Sequence, residues 1–303
     1  MNRNITIDLT KLLMSFFIVA LHCLFMLDIN EYLHFYLKEG LFRIAVPLFL
    51  LISGYYFYNS LNKKWLFKIL KLYGIWMVIY IPFWLNISSY DNIKNSLITL
   101  LTGYYHLWFL LSLFLGGYLT YIFKNKTGML LFLSFIFLFV SLLIEYLINY
   151  KIITINFVNP ELLYRNVLIA FPFFVFGFLI NKNKGKIAKF KSLYLSLMIL
   201  LLIVMNFIEL QYNYINSINR NFDLLMSTSL LSVCLFILIL KKSIYIHKNY
   251  NMNLISNGIF FTHIFILNIL KNYIENTIYL TLSVFILSLL ISYLLLFFCK
   301  KVL

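Results

Sequence analysis

Acidic residues are scarce in this chain. Ten aspartates and glutamates stand against 25 lysines and arginines, and all charged residues together make up 12% of 303. A soluble globular chain carries about twice that share, so an ordinary water-soluble domain is excluded. Cysteine is nearly missing too. Cys23, Cys234 and Cys299 each lie in an apolar run, with no CxxC pair and no His/Cys cluster. That excludes a disulfide framework and indicates no metal site; the three read as small residues facing lipid or core. Proline is confined to Pro47, Pro82, Pro160 and Pro172, and no internal repeat or inverted pair of Gly/Pro-broken spans is visible. A secondary transporter built from inverted repeats would show such a pair.

What the chain has in abundance is apolar sequence. Hydrophobic residues reach 63%, with a mean hydropathy of +0.91. They come in runs such as Leu12–Leu27, Met129–Ile144 and Val284–Cys299. A helical span needs roughly 20 mostly apolar residues. The runs place ten spans, near 9–27, 41–59, 71–87, 105–123, 128–148, 164–181, 192–210, 224–240, 254–272 and 278–299. The expected fold is an all-α polytopic membrane protein, a single domain over residues 1–303. The basic-then-apolar N-terminus has no A-x-A-like cleavage site after it, so it reads as a retained first span.

The basic residues orient this thread, because they favour the cytoplasm in short loops. Lys63-Lys64, the Lys182–Lys191 cluster, Lys241-Lys242 and Lys300-Lys301 share one side with Arg3 and Lys11. Seven of the 25 fall on the other: Lys38, Arg43, Lys94, Lys151, Arg165, Arg220 and Lys271. The acids reverse the pattern, with Asp8 inside and the rest, from Asp28 to Glu161, Asp223 and Glu275, outside. Both termini are therefore expected in the cytoplasm of a multi-pass cytoplasmic-membrane protein. The +15 net charge then reads as a collar for anionic lipid headgroups and not as a nucleic-acid surface. The same collar suits a docking rim for a cytoplasmic polyanion such as a nucleotide-bearing donor.

Ionisable residues inside spans are costly, and each is a functional candidate by default. Lys11 and His22 are eleven residues apart, about 20° past three helical turns and roughly 16 Å along the axis. They share a stripe that matches the length of an extended pantetheine arm, and Asp8 lies one turn below Lys11, suited to pair with it. His22 is placed deep in the bilayer, where histidine suits general-base work. Glu39, Arg43, Pro47, Ser53 and Gly54 crowd the second span, with Arg43 in i,i+4 reach of Glu39. Tyr105, His106 and Trp108 open the fourth span at the aromatic belt of the outer interface, with His106 open to solvent. His263 puts a second imidazole near mid-bilayer. A lone buried histidine more often satisfies an interhelical hydrogen bond, and two leave a proton relay open as well.

Taken in order, these places resemble the acyltransferase-3 family of bacterial integral-membrane acyltransferases. Lys11, ten residues and His22 are similar to the family's Arg-x10-His opening, with lysine in place of arginine. Arg43, Val46, Pro47, Leu48, Phe49, Ser53 and Gly54 resemble its R-x-x-VP-L-F-F…S-G helix. His106-Leu-Trp108-Phe-Leu110 matches an hLWFL signature, and Gly258-Ile-Phe-Phe-Thr-His263 resembles a late G-x-Y-x-x-H helix. The resemblance implies helices around a polar cavity and transfer of an acyl group, most simply acetyl, from cytoplasmic acyl-CoA. The acceptor would be a hydroxyl of a cell-envelope glycan or lipid-linked sugar at the outer face.

It also implies His22 and Arg43 as catalytic residues, His22 acting as base or as transient acyl carrier, and Lys11 and His263 on the donor path, with Asp8 beside them. Glu39, Ser53, His106 and Trp108 are the candidate acceptor contacts. No permanently bound cofactor is expected; acyl-CoA is a substrate. Some relatives append an extracytoplasmic hydrolase-like domain, so this chain is expected to act on its acceptor directly or to hand the acyl group to a separate extracytoplasmic transferase. The Asn-, Ile-, Lys- and Tyr-rich composition suits an AT-rich bacterial genome. Two other readings are left open: a solute or glycan translocator with a histidine proton relay, and a membrane component that recruits or regulates a glycan assembly complex without chemistry.

Overall fold

A computed structural model describes residues 3–153, 165–247, 250–298 and 302–303, with Arg165 known only by its backbone. Pro160, Glu161, Lys248, Cys299, Lys300 and Lys301 lie outside the described residues. In chain order, α1 is Ile5–His22, α2 Glu31–Phe35, α3 Ala45–Ser60, α4 Lys63–Ile79, α5 Ile81–Trp84, α6 Tyr90–Thr102 and α7 Trp108–Ile122. Then come α8 Thr127–Asn149, α9 Ala170–Lys182, α10 Lys184–Ala188, α11 Ser192–Asn216, α12 Met226–Lys241, α13 Met252–Leu270 and α14 Thr277–Phe298. Two short strands, β1 (Arg3–Asn4) and β2 (Tyr245–Ile246), pair antiparallel.

Among the described residues, seven helical stretches are long and apolar enough to cross a membrane: α1, Glu31–Ser60, Tyr105–Phe123, α8, α11, α13 and α14. Asn166–Lys182 and α12 are apolar but shorter. The burial pattern is that of a chain solvated by lipid. Large side chains such as Phe132, Phe139, Leu200, Ile208 and Phe297 point outward, while Ser134, Ser141, Ser288 and Ser292 are buried. Each of those serines returns its hydroxyl to a carbonyl three or four residues back, as a polar group without water requires. The protein is an all-α polytopic membrane protein.

Two compact units make up the chain, residues 1–49 with 183–303, and residues 50–182. In the first, α13 and α14 form a hairpin in which Gly258 has no room for a side chain, since a Cβ there would lie 2.5 Å from Ser292 Oγ. α1 packs on this hairpin through Phe16 against Phe285, edge to face at 5.2 Å, and through Ser15 Oγ, 2.8 Å from Ser256 Oγ. α11 and α12 are joined where Glu209 accepts from the backbone N–H groups of Met226 and Ser227, each at 2.9 Å, an acidic cap on the positive end of α12.

In the second unit, α3 and α9 touch backbone to backbone. A Cβ on Gly54 would sit 1.9 Å from the Phe174 carbonyl oxygen, and one on Gly177 would sit 2.0 Å from that of Leu51. The contact is reciprocal: each helix offers its glycine to the other's main chain, as close packing in a membrane demands.

Several ends differ from the sequence expectation. α1 stops at His22 and not at Leu27, because Leu24 and Met26 adopt φ of 54° and 66°, which a helix cannot contain. His22 is thus the last helical residue of its span, half-buried, and not a mid-helix group. α4 begins at Lys63 and not at 71, where the Asn62 side chain accepts from Trp65 N at 3.0 Å and caps the helix. Ahead of Pro47 and Pro172 the winding changes. A π turn (Tyr36–Leu41) and a 3-10 turn (Phe42–Ile44) precede α3, and a π turn (Arg165–Ile169) precedes α9. Each proline is the third residue of its α-helix, and the altered turns lie where the ring would crowd the carbonyls behind it.

Candidate active site

The first unit assembles most of the candidate residues. Along α1, Lys11 Nζ donates to Asn253 Oδ1 and, at 3.5 Å, to Asn257 Oδ1 on α13, and it lies 5.7 Å from the Phe49 ring centre. Asp8, expected to pair with Lys11, instead holds the Arg3 guanidinium. The arginine arrives there because β1 is pinned beside β2, and Asn4 caps α1 at 3.3 Å from Ile7 N. The ammonium is therefore oriented by two neutral amide oxygens, which do not cancel its charge. That suits a phosphate partner.

At the far end of α1, the His22 ring lies 5.3 Å from that of His263, centre to centre, with the planes at 31°. His263 is buried, and its Nδ1 lies 2.6 Å from the Phe260 carbonyl and 3.1 Å from that of Ile259. Carbonyl oxygens only accept, so Nδ1 carries the proton and Nε2 is the ring's basic atom. α1 is unbroken between Lys11 and His22, so the spacing of roughly 16 Å follows from helical rise.

Arg43 sits in the 3-10 turn ahead of α3. Its Nε donates to Glu39 Oε2 at 3.1 Å, Nη1 to Asp223 Oδ1 at 2.6 Å and Nη2 to Asn221 Oδ1 at 3.4 Å. Glu39 is fully buried, with Lys38 Nζ 2.7 Å from its Oε1. Neighbouring Phe42 packs its ring on Phe17 at 5.4 Å and Phe25 at 6.2 Å. Those two residues flank His22 in sequence, so the turn bearing Arg43 rests against the end of α1 that bears His22.

Ser53, His106 and Trp108 belong to the second unit. Ser53 and Trp108 are half-buried. His106 was expected in solvent but is only 2% exposed, with its ring edge-on to Tyr80 at 5.4 Å. A tyrosine from outside its own helix covers it, which the local sequence does not disclose.

A profile of the acyltransferase-3 family, described as an acyltransferase domain, matches residues 4–297. The chain belongs to that family. The match runs through both units and includes every candidate residue above. Among curated proteins, this acyltransferase-family chain is 27% identical over 146 residues to an amino-acid racemase of Enterococcus faecalis. It is also 29% identical over 156 residues to a serine/alanine racemase of Enterococcus gallinarum. These stretches cover 43% and 44% of the present chain but only 21% and 20% of the relatives, so the chain spans about a fifth of the length of either. No solved structure matches. The family is one of acyltransferases, and the apolar helices of this chain fit a membrane member of it.

Sequence reasoning did not single out Asp223, Asn221 or Asn253. The Asn253/Asn257 pair left a signal, two amides four residues apart on an apolar helix. Asp223 left none beyond being one of the outer acids.

Proposed function

We propose that this protein transfers an acyl group, most simply acetyl, from cytoplasmic acyl-CoA to a hydroxyl of a cell-envelope glycan or its lipid-linked precursor at the outer face. In this reading all ten expected spans cross the cytoplasmic membrane and both termini are cytoplasmic. The observation that carries it is the single helix α1, with a lysine held by two amide oxygens toward one end and a half-buried histidine against a second histidine at the other. The Lys11 ammonium holds a phosphate of the donor, and the arm reaches inward along α1 to present its thioester at His22. The acceptor hydroxyl oxygen attacks the thioester carbonyl carbon while His22 takes the hydroxyl proton. The tetrahedral intermediate collapses, the carbon–sulfur bond breaks, and the thiolate leaves as free CoA with the proton returned by His22. Arg43, on the turn packed against that end of α1, places positive charge near the developing oxyanion. Burial of the reacting carbonyl limits loss of the thioester to water.

The test is turnover of acetyl-CoA, labelled in the acetyl group, by purified protein in lipid vesicles, comparing wild type with His22→Ala. CoA release that depends on His22 is expected, even as slow hydrolysis without an acceptor. Equal release by both proteins would overturn the role of His22. Absence of saturable acetyl-CoA binding, together with proton-coupled solute uptake, would replace transfer with translocation.

A further inference from the structure

Arg43 is fastened from two directions of very different sequence distance. Glu39 comes from the preceding turn, whereas Asp223 and Asn221 come from the loop between α11 and α12. That loop is well anchored. Phe222, Leu224 and Leu225 on either side of Asp223 are buried at 0–1% exposure, and Lys38 Nζ donates to Asn221 Oδ1 at 3.1 Å. The Asp223 carboxylate is therefore delivered by a rigid support, while Arg43 and Glu39 sit on backbone that changes winding from π to 3-10 within a few residues. Altered turns of this kind recur at functional sites, and a planar guanidinium held at Nε by Glu39 and at Nη1 by Asp223 has its direction fixed by both.

We propose that Asp223 is a positioning residue for the transfer reaction: it fixes the direction of the Arg43 guanidinium, and so makes the loop between α11 and α12 part of the active site. This inference rests on the role given to Arg43 above. A purely structural role, in which Asp223 only ties the loop down, predicts a different behaviour, because Asn221 and the buried Phe222 and Leu224 would share that task.

The experiment measures acetyl-CoA hydrolysis by full-length protein in vesicles, with kcat and KM determined separately. The set is wild type, Asp223→Asn, Asp223→Glu, Arg43→Lys and the double variant Arg43→Lys/Asp223→Asn, each checked by thermal melting in detergent. Asp223→Asn is expected to lower kcat about tenfold or more with KM for acetyl-CoA and the melting temperature unchanged. Asp223→Glu recovers part of the loss, and the double variant is no slower than Arg43→Lys alone, since the two residues act as one unit. Wild-type kcat in Asp223→Asn, or a loss in the double variant that multiplies the two single losses, would overturn the positioning role. A kcat loss that tracks a lowered melting temperature, with no recovery in Asp223→Glu, would overturn it as well. Failure of wild type itself to turn over acetyl-CoA would sink the transferase reading instead, so the two failures are separable.

Discussion

Lys11, Asp8 and His22 on α1 and His263 on α13 are the polar groups on which the proposed chemistry rests, and their surroundings differ. Lys11 is oriented by two amide oxygens, while Asp8 holds Arg3. Replacing Lys11 by Met is expected to raise KM for acetyl-CoA tenfold or more with kcat little changed, and Lys11→Arg should retain most of the affinity. Steady-state kinetics read both, and the size follows from a charge-assisted hydrogen bond worth about 1.5–3 kcal/mol. His22→Ala is expected to lower CoA release by roughly 10²–10⁴-fold, the range of general-base catalysis, with expression unaffected. The Lys11–His22 spacing and the reach of Arg43 to Glu39 were legible in sequence because a helix converts residue number into position. The bond from Arg43 to Asp223 was not, since nothing local to residue 43 encodes a loop 180 residues later. The Asp8 pairing was misjudged for a similar reason: Arg3 reaches it only once β1 is pinned beside β2.

Elements hold these residues through close contacts and caps. The Gly54/Gly177 crossing has no tolerance for a side chain, because the obstacle on each side is a carbonyl oxygen and not a flexible group. Gly177→Val is expected to destabilise the protein by about 3 kcal/mol, as overpacking does, and Gly54→Val likewise; melting in detergent and yield of monodisperse protein check this. The start of α14 is capped by Asn276, whose side chain accepts from Ile278 N and Tyr279 N at 3.1 Å. Asp28 from the loop after α1 joins it, accepting from the Thr277 hydroxyl and, at 3.3 Å, from Thr277 N. Those hydrogen bonds hold the Asp28 carboxyl below its ordinary range. A lowered folded-state value means that its contribution is present above the unfolded carboxyl range near pH 4 and is lost as pH falls through the folded value. Wild type should therefore melt above Asp28→Asn at pH 7, and the difference should close as pH drops below 4. Although α2, α6 and α10 lay in none of the expected spans, the long apolar helices were readable from apolar runs. Helix ends were not, because positive φ at Leu24 and Met26 and the cap at Asn62 are decisions of a few residues inside or beside an apolar stretch.

For the whole molecule, lipid solvation explains why composition alone gave the fold class: large apolar groups outside and hydroxyls within invert the soluble pattern. It also explains why composition could not group the candidate residues. Lys11, His22, Arg43 and His263 share a unit that includes residues 183–303, while Ser53, His106 and Trp108 lie in the intervening 50–182 unit. Reporter fusions at the N-terminus and in the loop near Tyr250 are expected to report the same, cytoplasmic, side, and one within Asn219–Asn221 the opposite side. An outward N-terminus would reverse the donor and acceptor faces.

The small β1–β2 ribbon carries a parity rule. Asn4 and Tyr245 are partners in it, so they occupy one side of the bilayer, and the chain between them must cross an even number of times. Five of the long apolar stretches lie in that interval, an odd count. If all five cross, the rest of the interval must supply an odd number of further crossings, for which α4, Asn166–Lys182 and α12 are the candidates among the described residues. Two hydrogen-bonded residues at the edge of the membrane thus restrict how every helix between them is threaded.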